Sequence, residues 1–343
     1  MPSSTRSVGF CLGLLAAAAI AVAATPAALD GTLPERSVFP AANWWNQDIS
    51  AAPLDPASAA YIDFISGRSA SNRTAVRRLH PDFGPSPYGI PYIVVSGDQP
   101  RVPITFTESA DESDAGAAGQ PAGYPVPDIA KTQAGFIEGA VAGGGTSGDR
   151  HMLIVDQDNW LLFETYATQW NAAADRWEAG SGAVFDLAAS DRRPEGWTSA
   201  DAAGLAIFPG LVRYDDVYGT KEITHAFRVT VRATHGHVWP ASHDAGSTTG
   251  ALPMGARLRL KAGKDLSSYP AAMQRVFRAM QRYGLIVADN GSDMYVTGTM
   301  DARWDNDVLN PAFSSLTADD FEIVQLGWKG TPPNPPANVR IIR

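Results

Sequence analysis

The sequence predicts a mainly β fold: a β-sandwich or jelly-roll-like single domain with a few helical additions. Many short apolar runs show the two-residue alternation of strands, and only one segment shows a long helical apolar stripe. The runs are separated by turn-forming residues drawn from 32 glycines and 25 prolines. Numerous short strands between frequent turns are typical of sandwiches and jelly rolls.

Residues 1–23 have the pattern of a secretory signal peptide. Arg6 precedes an apolar segment from Val8 to Ala23 that ends in small residues suited to cleavage. The single cysteine, Cys11, lies inside this segment, so we expect neither a disulfide nor thiol chemistry in the mature chain. We therefore expect a secreted or periplasmic protein, with an N-terminal extension over residues 24–37.

Charge and composition exclude two classes of partner. The formal net charge is −9, which argues against nucleic acid as a partner. After the signal segment, no apolar run approaches the roughly 20 residues needed to span a bilayer, so we expect no membrane association after cleavage. Arginine far outnumbers lysine and alanine is abundant, a bias that favours a bacterial origin.

The first elements after the extension are an aromatic segment and a short helix. We expect Trp44 and Trp45 to lie in extended chain, where adjacent side chains point to opposite sides, so one ring should be exposed. The stretch from Pro56 to Gly67 predicts a helix. The Gly/Pro/Ala-rich region that ends at Gly148 reads as a long surface loop.

The most informative segment is GDRHMLIVDQDNWLLFETY, from Gly148 to Tyr166. DQDN is a cluster of turn formers between two apolar runs, which predicts a β-hairpin. A two-residue loop at Gln157 and Asp158 would pair His151 with Glu164 and Asp149 with Tyr166. An odd loop length would instead place these side chains on different faces.

Further strands are expected at 150–156, 160–167, 181–187, 223–233 and 257–262. Pro270 and Gly284 bracket one convincing amphipathic helix. LIVADNGSDMYVTG predicts a second hairpin with Asn290-Gly291 as its turn. Residues 327–343 form a Pro-rich tail, which leaves residues 38–326 as one β-rich catalytic or binding domain.

The hairpin residues are the candidate catalytic groups. A carboxylate beside an imidazole, above an apolar floor, is an arrangement that supports acid and base chemistry. For glycoside hydrolysis, Glu164 is the first choice as acid, with Asp149 or Asp186 as its partner. For a polysaccharide lyase, His151 and Tyr166 would act as bases. The competing interpretation is a hydrogen-bonded cluster at the edge of the core.

Tryptophans and cationic side chains are the candidate substrate-binding groups. Exposed indole rings stack on sugar faces, and nearby polar groups bind hydroxyls. The residues assigned to substrate binding are Trp160, Trp177, Trp197, Arg150 and His225.

No cofactor is predicted. His235, His237 and His243 could contribute to a transition-metal site, but no fourth ligand can be named. The alternating carboxylates of DARWDNDVL could hold a structural calcium ion, although the segment lacks the glycine and terminal glutamate of an EF-hand. There is no Gly-x-Ser-x-Gly elbow, which argues against a serine hydrolase.

Several motifs together resemble a family of uncharacterised secreted bacterial proteins: LHPDFG, YGIPYIVV, GDRHMLIVD, GSGAVFDL, GWTSADAAGL, FPGLVRYDDV, ITHAFRVTV, ADNGSDMYVTG and DARWDNDVL. The likeness covers nearly the whole mature chain. It implies a single unit from about Val38 to Val324, and it implies no activity or residue role.

The sequence thus favours a secreted carbohydrate-active enzyme, a glycoside hydrolase that cleaves a polysaccharide or oligosaccharide. The alternatives are a polysaccharide lyase and a non-catalytic glycan-binding module.

Overall fold

The computed structural model describes residues 27–33 and 37–330. The signal-peptide segment and most of the Pro-rich tail lie outside the described residues. Within them the chain forms fourteen strands in three sheets and four α-helices, which confirms the mainly β prediction. The strands are β1 (Ala28–Leu29), β2 (His80–Gly84), β3 (Tyr92–Val95), β4 (Ile104–Phe106), β5 (Met152–Asp156), β6 (Leu161–Tyr166), β7 (Gln169–Asn171), β8 (Arg176–Ala179), β9 (Ser181–Asp186), β10 (Phe227–Val231), β11 (Arg257–Leu260), β12 (Leu285–Asn290), β13 (Tyr295–Met300) and β14 (Phe321–Ile323). The helices are α1 (Ser58–Ser66), α2 (Tyr214–Tyr218), α3 (Ala271–Arg282) and α4 (Asn306–Ser314).

The five-stranded sheet is the middle layer, with strand order β1-β3-β5-β6-β9. Its β3 to β5 pairing is parallel and its β5 to β6 pairing is antiparallel. Alternate residues of these strands enter two different apolar clusters: Leu153 and Leu162 the larger one, Ile154 and Phe163 the smaller. Burial on both faces explains why the strands are nearly continuous apolar runs.

The six-stranded sheet has the order β14-β11-β12-β10-β13-β2. The predicted hairpin at Asn290-Gly291 is therefore wrong, because β10 lies between β12 and β13. β10 runs parallel to β12 and antiparallel to β13. A local turn signal reports only that the chain reverses, whereas the partner of each strand depends on a segment about sixty residues earlier in the sequence.

The third sheet, in the order β4-β8-β7, covers the other side of the middle layer. Trp177 of β8 and Tyr124 enter the smaller apolar cluster together with Phe163. The region ending at Gly148, predicted as a surface loop, contributes β4 and two 3-10 helices, Ala110–Glu112 and Asp128–Lys131.

The helix predictions are confirmed for α1 and α3. Each helix is followed by a glycine with positive φ, Gly67 at +72° and Gly284 at +78°, a conformation in which glycine is not strained. The prediction of an exposed tryptophan is wrong, because Trp44 and Trp45 are both buried. They lie in a 3-10 helix, Trp44–Asn46, rather than in extended chain, so they need not point to opposite sides.

No helix within residues 27–33 and 37–330 is both long and apolar enough to cross a membrane.

Candidate functional site

An open polar cavity of about 230 Å³ is lined by residues of the six-stranded sheet and of neighbouring loops, including the segment that leads into β5. The six-stranded sheet contributes Arg228 and Thr230 from β10, which point to one face because they alternate with buried valines. Thr297 of β13 and Asp82 of β2 lie beside them, because these two residues pair directly in the sheet. The residues lining the cavity are Asp82, Ile90, Glu138, Asp149, His151, Arg228, Thr230, Asp289, Asn290, Gly291, Ser292, Tyr295 and Thr297.

The predicted hairpin brings two residues to this cavity, but with a corrected register. Asp156 pairs with Leu161, so the loop has four residues rather than two. The Asp156 carboxylate accepts hydrogen bonds from the backbone N–H of Asn159 at 3.0 Å and from its Nδ2 at 2.8 Å, which favours this wider turn. Glu164 consequently pairs with Leu153 rather than with His151. A shift of two residues keeps each side chain on its predicted face.

His151 is buried, and both of its ring nitrogens have partners. Nδ1 lies 2.6 Å from Oε2 of Glu138, and Nε2 lies 3.1 Å from the carbonyl oxygen of Ala200, to which it donates. Burial alone would lower the pKa of His151, but the charge and hydrogen bond of Glu138 outweigh it and raise the pKa to about 9. His151 is therefore a cation at neutral pH.

Glu138 is the anionic partner of this pair. Its backbone N–H donates to the carbonyl oxygen of His151 at 2.9 Å, so main chain and side chain both fix it beside the imidazole. Burial would raise the pKa of Glu138, but the charge and hydrogen bonds of His151 lower it below its usual range. Glu138 is therefore ionised.

Arg228 forms the floor of the cavity. Its Nη2 contacts Asp201 at 2.9 Å and Asp289 at 3.0 Å, and its Nη1 donates to Thr297 Oγ1 at 2.8 Å. The side chain of Asp201 is completely buried. Burial opposes the charge of Arg228, but the two carboxylates outweigh it and raise the pKa, so the guanidinium stays charged.

Asp82 and Asp149 are the carboxyl groups nearest to solvent in this cavity. The protein around Asp82 removes water from its carboxyl group and raises its pKa; Arg228 opposes the rise, while Glu138 and Asp149 add to it. Asp149 is exposed. The cavity thus holds one carboxyl group with a raised pKa, Asp82, and one with a lowered pKa, Glu138.

Glu164, the predicted acid, does not line this cavity. It is completely buried, and its carboxylate accepts hydrogen bonds from the backbone N–H groups of Ile207 and Phe208 at 2.8 Å each. Burial raises the pKa of Glu164 to about 7, and the two N–H donors moderate the rise. Its contacts hold the start of the 3-10 helix Phe208–Gly210 against the middle sheet.

The other predicted catalytic residues, Tyr166 and Asp186, and the predicted substrate-binding residue Arg150 are distributed around the hairpin. The Tyr166 ring lies 5.7 Å from the His151 ring, centroid to centroid, but Tyr166 is not part of the cavity lining. The guanidinium of Arg150 donates to the carbonyl oxygen of Gly148 at 2.7 Å. Asp186 ends β9 beside Leu161, and its carboxylate accepts from the N–H of Ala188 at 2.8 Å.

The predicted substrate-binding residues do not meet at this cavity. Trp160 and Trp177 are buried, and Trp197 is half-buried with its ring 5.5 Å from the guanidinium carbon of Arg193. His225 precedes β10 and lines a different, larger cavity. The aromatic ring that does line the site is Tyr295, which stacks on His80 with 4.7 Å between ring centroids.

Two of the three histidines weighed as metal ligands, His237 and His243, have other partners for their side chains. His237 contacts Asp244 at 2.8 Å and Glu195 at 2.6 Å, and Nδ1 of His243 lies 2.8 Å from the carbonyl oxygen of Ala202. Asp305, weighed for calcium, instead accepts from the N–H of Asp307 and caps α4.

Within residues 27–33 and 37–330, one group has the composition of a metal site. Ligand atoms of Glu138, Asp149 and His151 all lie within 4.8 Å of one another. These residues could hold a divalent cation only if the hydrogen bond between His151 and Glu138 opened, since a ligating imidazole nitrogen must be unprotonated.

Four site residues escaped the sequence analysis: Asp82, Glu138, Arg228 and Asp289. Glu138 lies in a segment that reads as loop, with no periodic pattern to place it. Arg228 carried a usable signal, because a charged residue alternating with buried apolar residues in a strand needs a carboxylate partner inside the protein.

A comparison of the chain with protein-family models, with curated proteins and with solved structures finds no match.

Proposed function

We propose that the protein is a secreted glycoside hydrolase and that the polar cavity beside Arg228 of the six-stranded sheet is its active site. The observation that carries the proposal is the opposed shift of two carboxyl groups in one open cavity: the pKa of Asp82 is raised and that of Glu138 is lowered. Glycosidases need a carboxyl group with a raised pKa as proton donor beside a second carboxyl group, and here the ionised Glu138 contributes by raising the pKa of Asp82.

In this mechanism Asp82 is the general acid. It donates its proton to the glycosidic oxygen as the bond from that oxygen to the anomeric carbon breaks. Asp149 supplies the second carboxylate, because it is exposed in the cavity and makes no side-chain hydrogen bond or ion pair within residues 27–33 and 37–330. It either attacks the anomeric carbon to form an ester, which a water deprotonated by Asp82 then hydrolyses, or it takes a proton from a water that attacks the anomeric carbon directly. The oxygen of that water ends on the sugar as a new reducing end.

Glu138, His151 and Arg228 act as positioning residues. The ionised Glu138 lies within 4.8 Å of the Asp149 carboxylate and is fixed by His151. Together with burial, the charges of Glu138 and Asp149 raise the pKa of Asp82, which favours its role as proton donor. Arg228 holds Asp289 at the cavity wall, where that carboxylate can accept hydrogen bonds from sugar hydroxyls.

The size of the cavity favours one sugar unit of a longer chain. About 230 Å³ is below the roughly 300–1,000 Å³ of typical small-molecule sites. The lining combines the Tyr295 ring with donors and acceptors from Asn290, Ser292 and Thr230, which match the apolar face and the hydroxyl rim of a sugar.

The charge of the cavity favours hydrolysis over the lyase alternative. A lyase must neutralise the carboxylate of a uronate before a base can remove the neighbouring proton. Here four carboxyl residues, Asp82, Glu138, Asp149 and Asp289, line the cavity with only His151 and Arg228 as cations. Both cations are already paired with carboxylates.

The test is the release of reducing ends by the purified mature protein on a panel of plant, algal and bacterial polysaccharides, with ultraviolet absorbance of unsaturated uronates recorded in parallel. We expect reducing ends without the ultraviolet signal. Asp149→Asn should lower kcat at least about 100-fold, because an amide neither attacks nor accepts the proton. Asp186→Asn is the matched control and should keep the wild-type rate.

Three outcomes would contradict the proposal. An ultraviolet signal together with reducing ends would indicate a lyase. Binding of one polysaccharide without turnover would indicate a glycan-binding module. Equal rates for Asp149→Asn and Asp186→Asn would show that Asp149 has no catalytic role.

A further inference from the structure

A second and larger cavity, of about 670 Å³, opens where the chain enters β10. Its volume lies within the usual range for small-molecule sites. Arg213, Asp216 and His225 line it, and none of these residues lines the cavity of the proposed active site. We propose that this second cavity is a separate binding site for a neutral oligosaccharide.

The charges around this cavity are close to balance. Two acidic residues of the lining are paired with arginines outside it: Asp215 with Arg303 at 2.7 Å, and Glu222 with Arg278 at 2.8 Å. The remaining acid, Asp216, contacts Arg213 at 2.7 Å. The lining carries three acidic residues, Asp215, Asp216 and Glu222, against two basic ones, Arg213 and Lys221, so it offers no excess of positive charge to an anion such as a phosphate or a uronate chain.

Arg213, Asp216 and His225 form a fixed polar group in the cavity wall. Nη2 of Arg213 lies 3.1 Å from Nε2 of His225, and that nitrogen lies 3.5 Å from Oδ2 of Asp216. Nδ1 of His225 donates to the carbonyl oxygen of Ala226 at 2.9 Å, which fixes the ring. A guanidinium donor beside a carboxylate acceptor can bind two neighbouring hydroxyl groups of one sugar ring.

The rest of the cavity wall combines apolar groups with hydrogen-bonding groups, and a saccharide has both an apolar ring face and hydroxyl groups. Apolar groups from Leu33, Val38 and Pro209 can cover the C–H face of a sugar ring. Hydroxyl and amide groups supply further donors and acceptors. These polar residues are Thr32, Ser37, Asn46, Thr220 and Thr224.

The two cavities have separate linings but are close in the fold. Ile90 lines the first and Tyr92 the second, and His225 of the second site lies just before β10, which carries Arg228 of the first. A polysaccharide held in the second cavity would be kept near the first. Binding in the second cavity does not require catalysis in the first. The binding proposal is therefore tested independently of the proposed hydrolysis.

The test is isothermal titration of the purified mature protein with three neutral hexasaccharides: cellohexaose, maltohexaose and the hexamer of N-acetylglucosamine. Thr224→Trp fills the cavity from an exposed position of its lining. We expect at least one hexasaccharide to bind, and Thr224→Trp to raise its Kd at least tenfold. Gln133→Trp, at an exposed position outside both cavities, is the matched control and should bind as the wild type does.

A thermal unfolding curve checks that Thr224→Trp is folded. If it is not, Thr220→Trp, at a second exposed position of the lining, replaces it. Binding that is unchanged in the folded cavity-filling variant, or the absence of binding by all three hexasaccharides, would overturn the proposal. Loss of binding in Asp149→Asn but not in Thr224→Trp would also overturn it, because the ligand would then occupy the first cavity. If the protein hydrolyses none of the polysaccharides, the Kd values measured here still test the binding proposal. That result would contradict only the proposed function.

Discussion

Replacing Arg228 by methionine is expected to lower the free energy of unfolding by about 3–5 kcal/mol, the usual cost of removing one partner of a buried ion pair. The side chains of Arg228 and Asp201 are 4% and 0% exposed, so water cannot replace the guanidinium. Methionine preserves much of the side-chain volume but leaves Asp201 as an uncompensated buried charge. Urea denaturation at pH 7 measures the change.

Two further variants separate the charge effect from packing. Arg278→Met removes the exposed pair with Glu222 and should cost only about 0–1 kcal/mol. Adding Asp201→Asn to Arg228→Met removes the orphaned charge and should recover part of the lost stability. If Arg228→Met and Arg278→Met had the same free energy of unfolding, the ion pair between Arg228 and Asp201 would not stabilise the fold as we expect.

Stability is also expected to fall as the pH rises from about 6.5 to about 9. The pKa of His151 is raised from 6.5 to about 9, so the folded protein binds its proton more tightly than the unfolded chain does. This contribution is complete below the unfolded pKa and is lost as the pH passes the folded pKa. At about 1.4 kcal/mol per pKa unit, it amounts to about 3 kcal/mol.

Urea denaturation at several pH values measures this loss. His151→Gln should remove most of the slope between pH 6.5 and 9, because glutamine does not titrate. His80→Gln is the matched control: the pKa of His80 is lowered rather than raised, by partial burial and by the charge of Arg78, so its removal should leave the slope in place. A slope that persists in His151→Gln would contradict the assignment of a charged imidazole beside Glu138.

The mainly β fold was predictable from sequence because strand formation depends on local alternation and turn residues. The partners of the strands were not. The segments of β12 and β13 look like a hairpin, yet β10 lies between them, and this pairing depends on a remote part of the chain. The conformation of Trp44 and Trp45 was not predicted either. Both rings are buried because the two residues lie in a 3-10 helix, and no local sequence pattern indicated that helix.

The candidate site was predictable only in part. His151 and Asp149 stand out as polar residues next to an apolar strand, and both line the cavity. Glu138, which contacts His151, lies in a segment without a periodic sequence pattern. Asp82 lines the site because β2 pairs in parallel with β13, and no local sequence pattern predicts that pairing. Glu164 looked equivalent to them in sequence. Its burial and its contacts with the N–H groups of Ile207 and Phe208 depend on a distant loop.

The assignment of Asp82 as the acid beside Glu138 and Asp149 is tested most directly by the pH dependence of kcat/KM for the wild type and for Asp82→Asn, on the polysaccharide that yields reducing ends. We expect a bell-shaped wild-type profile whose alkaline limb reports the raised pKa of Asp82. Asp82→Asn should lose at least about 100-fold in rate, and its remaining activity should lack the alkaline limb. A variant that keeps both the wild-type rate and the alkaline limb would contradict the assignment.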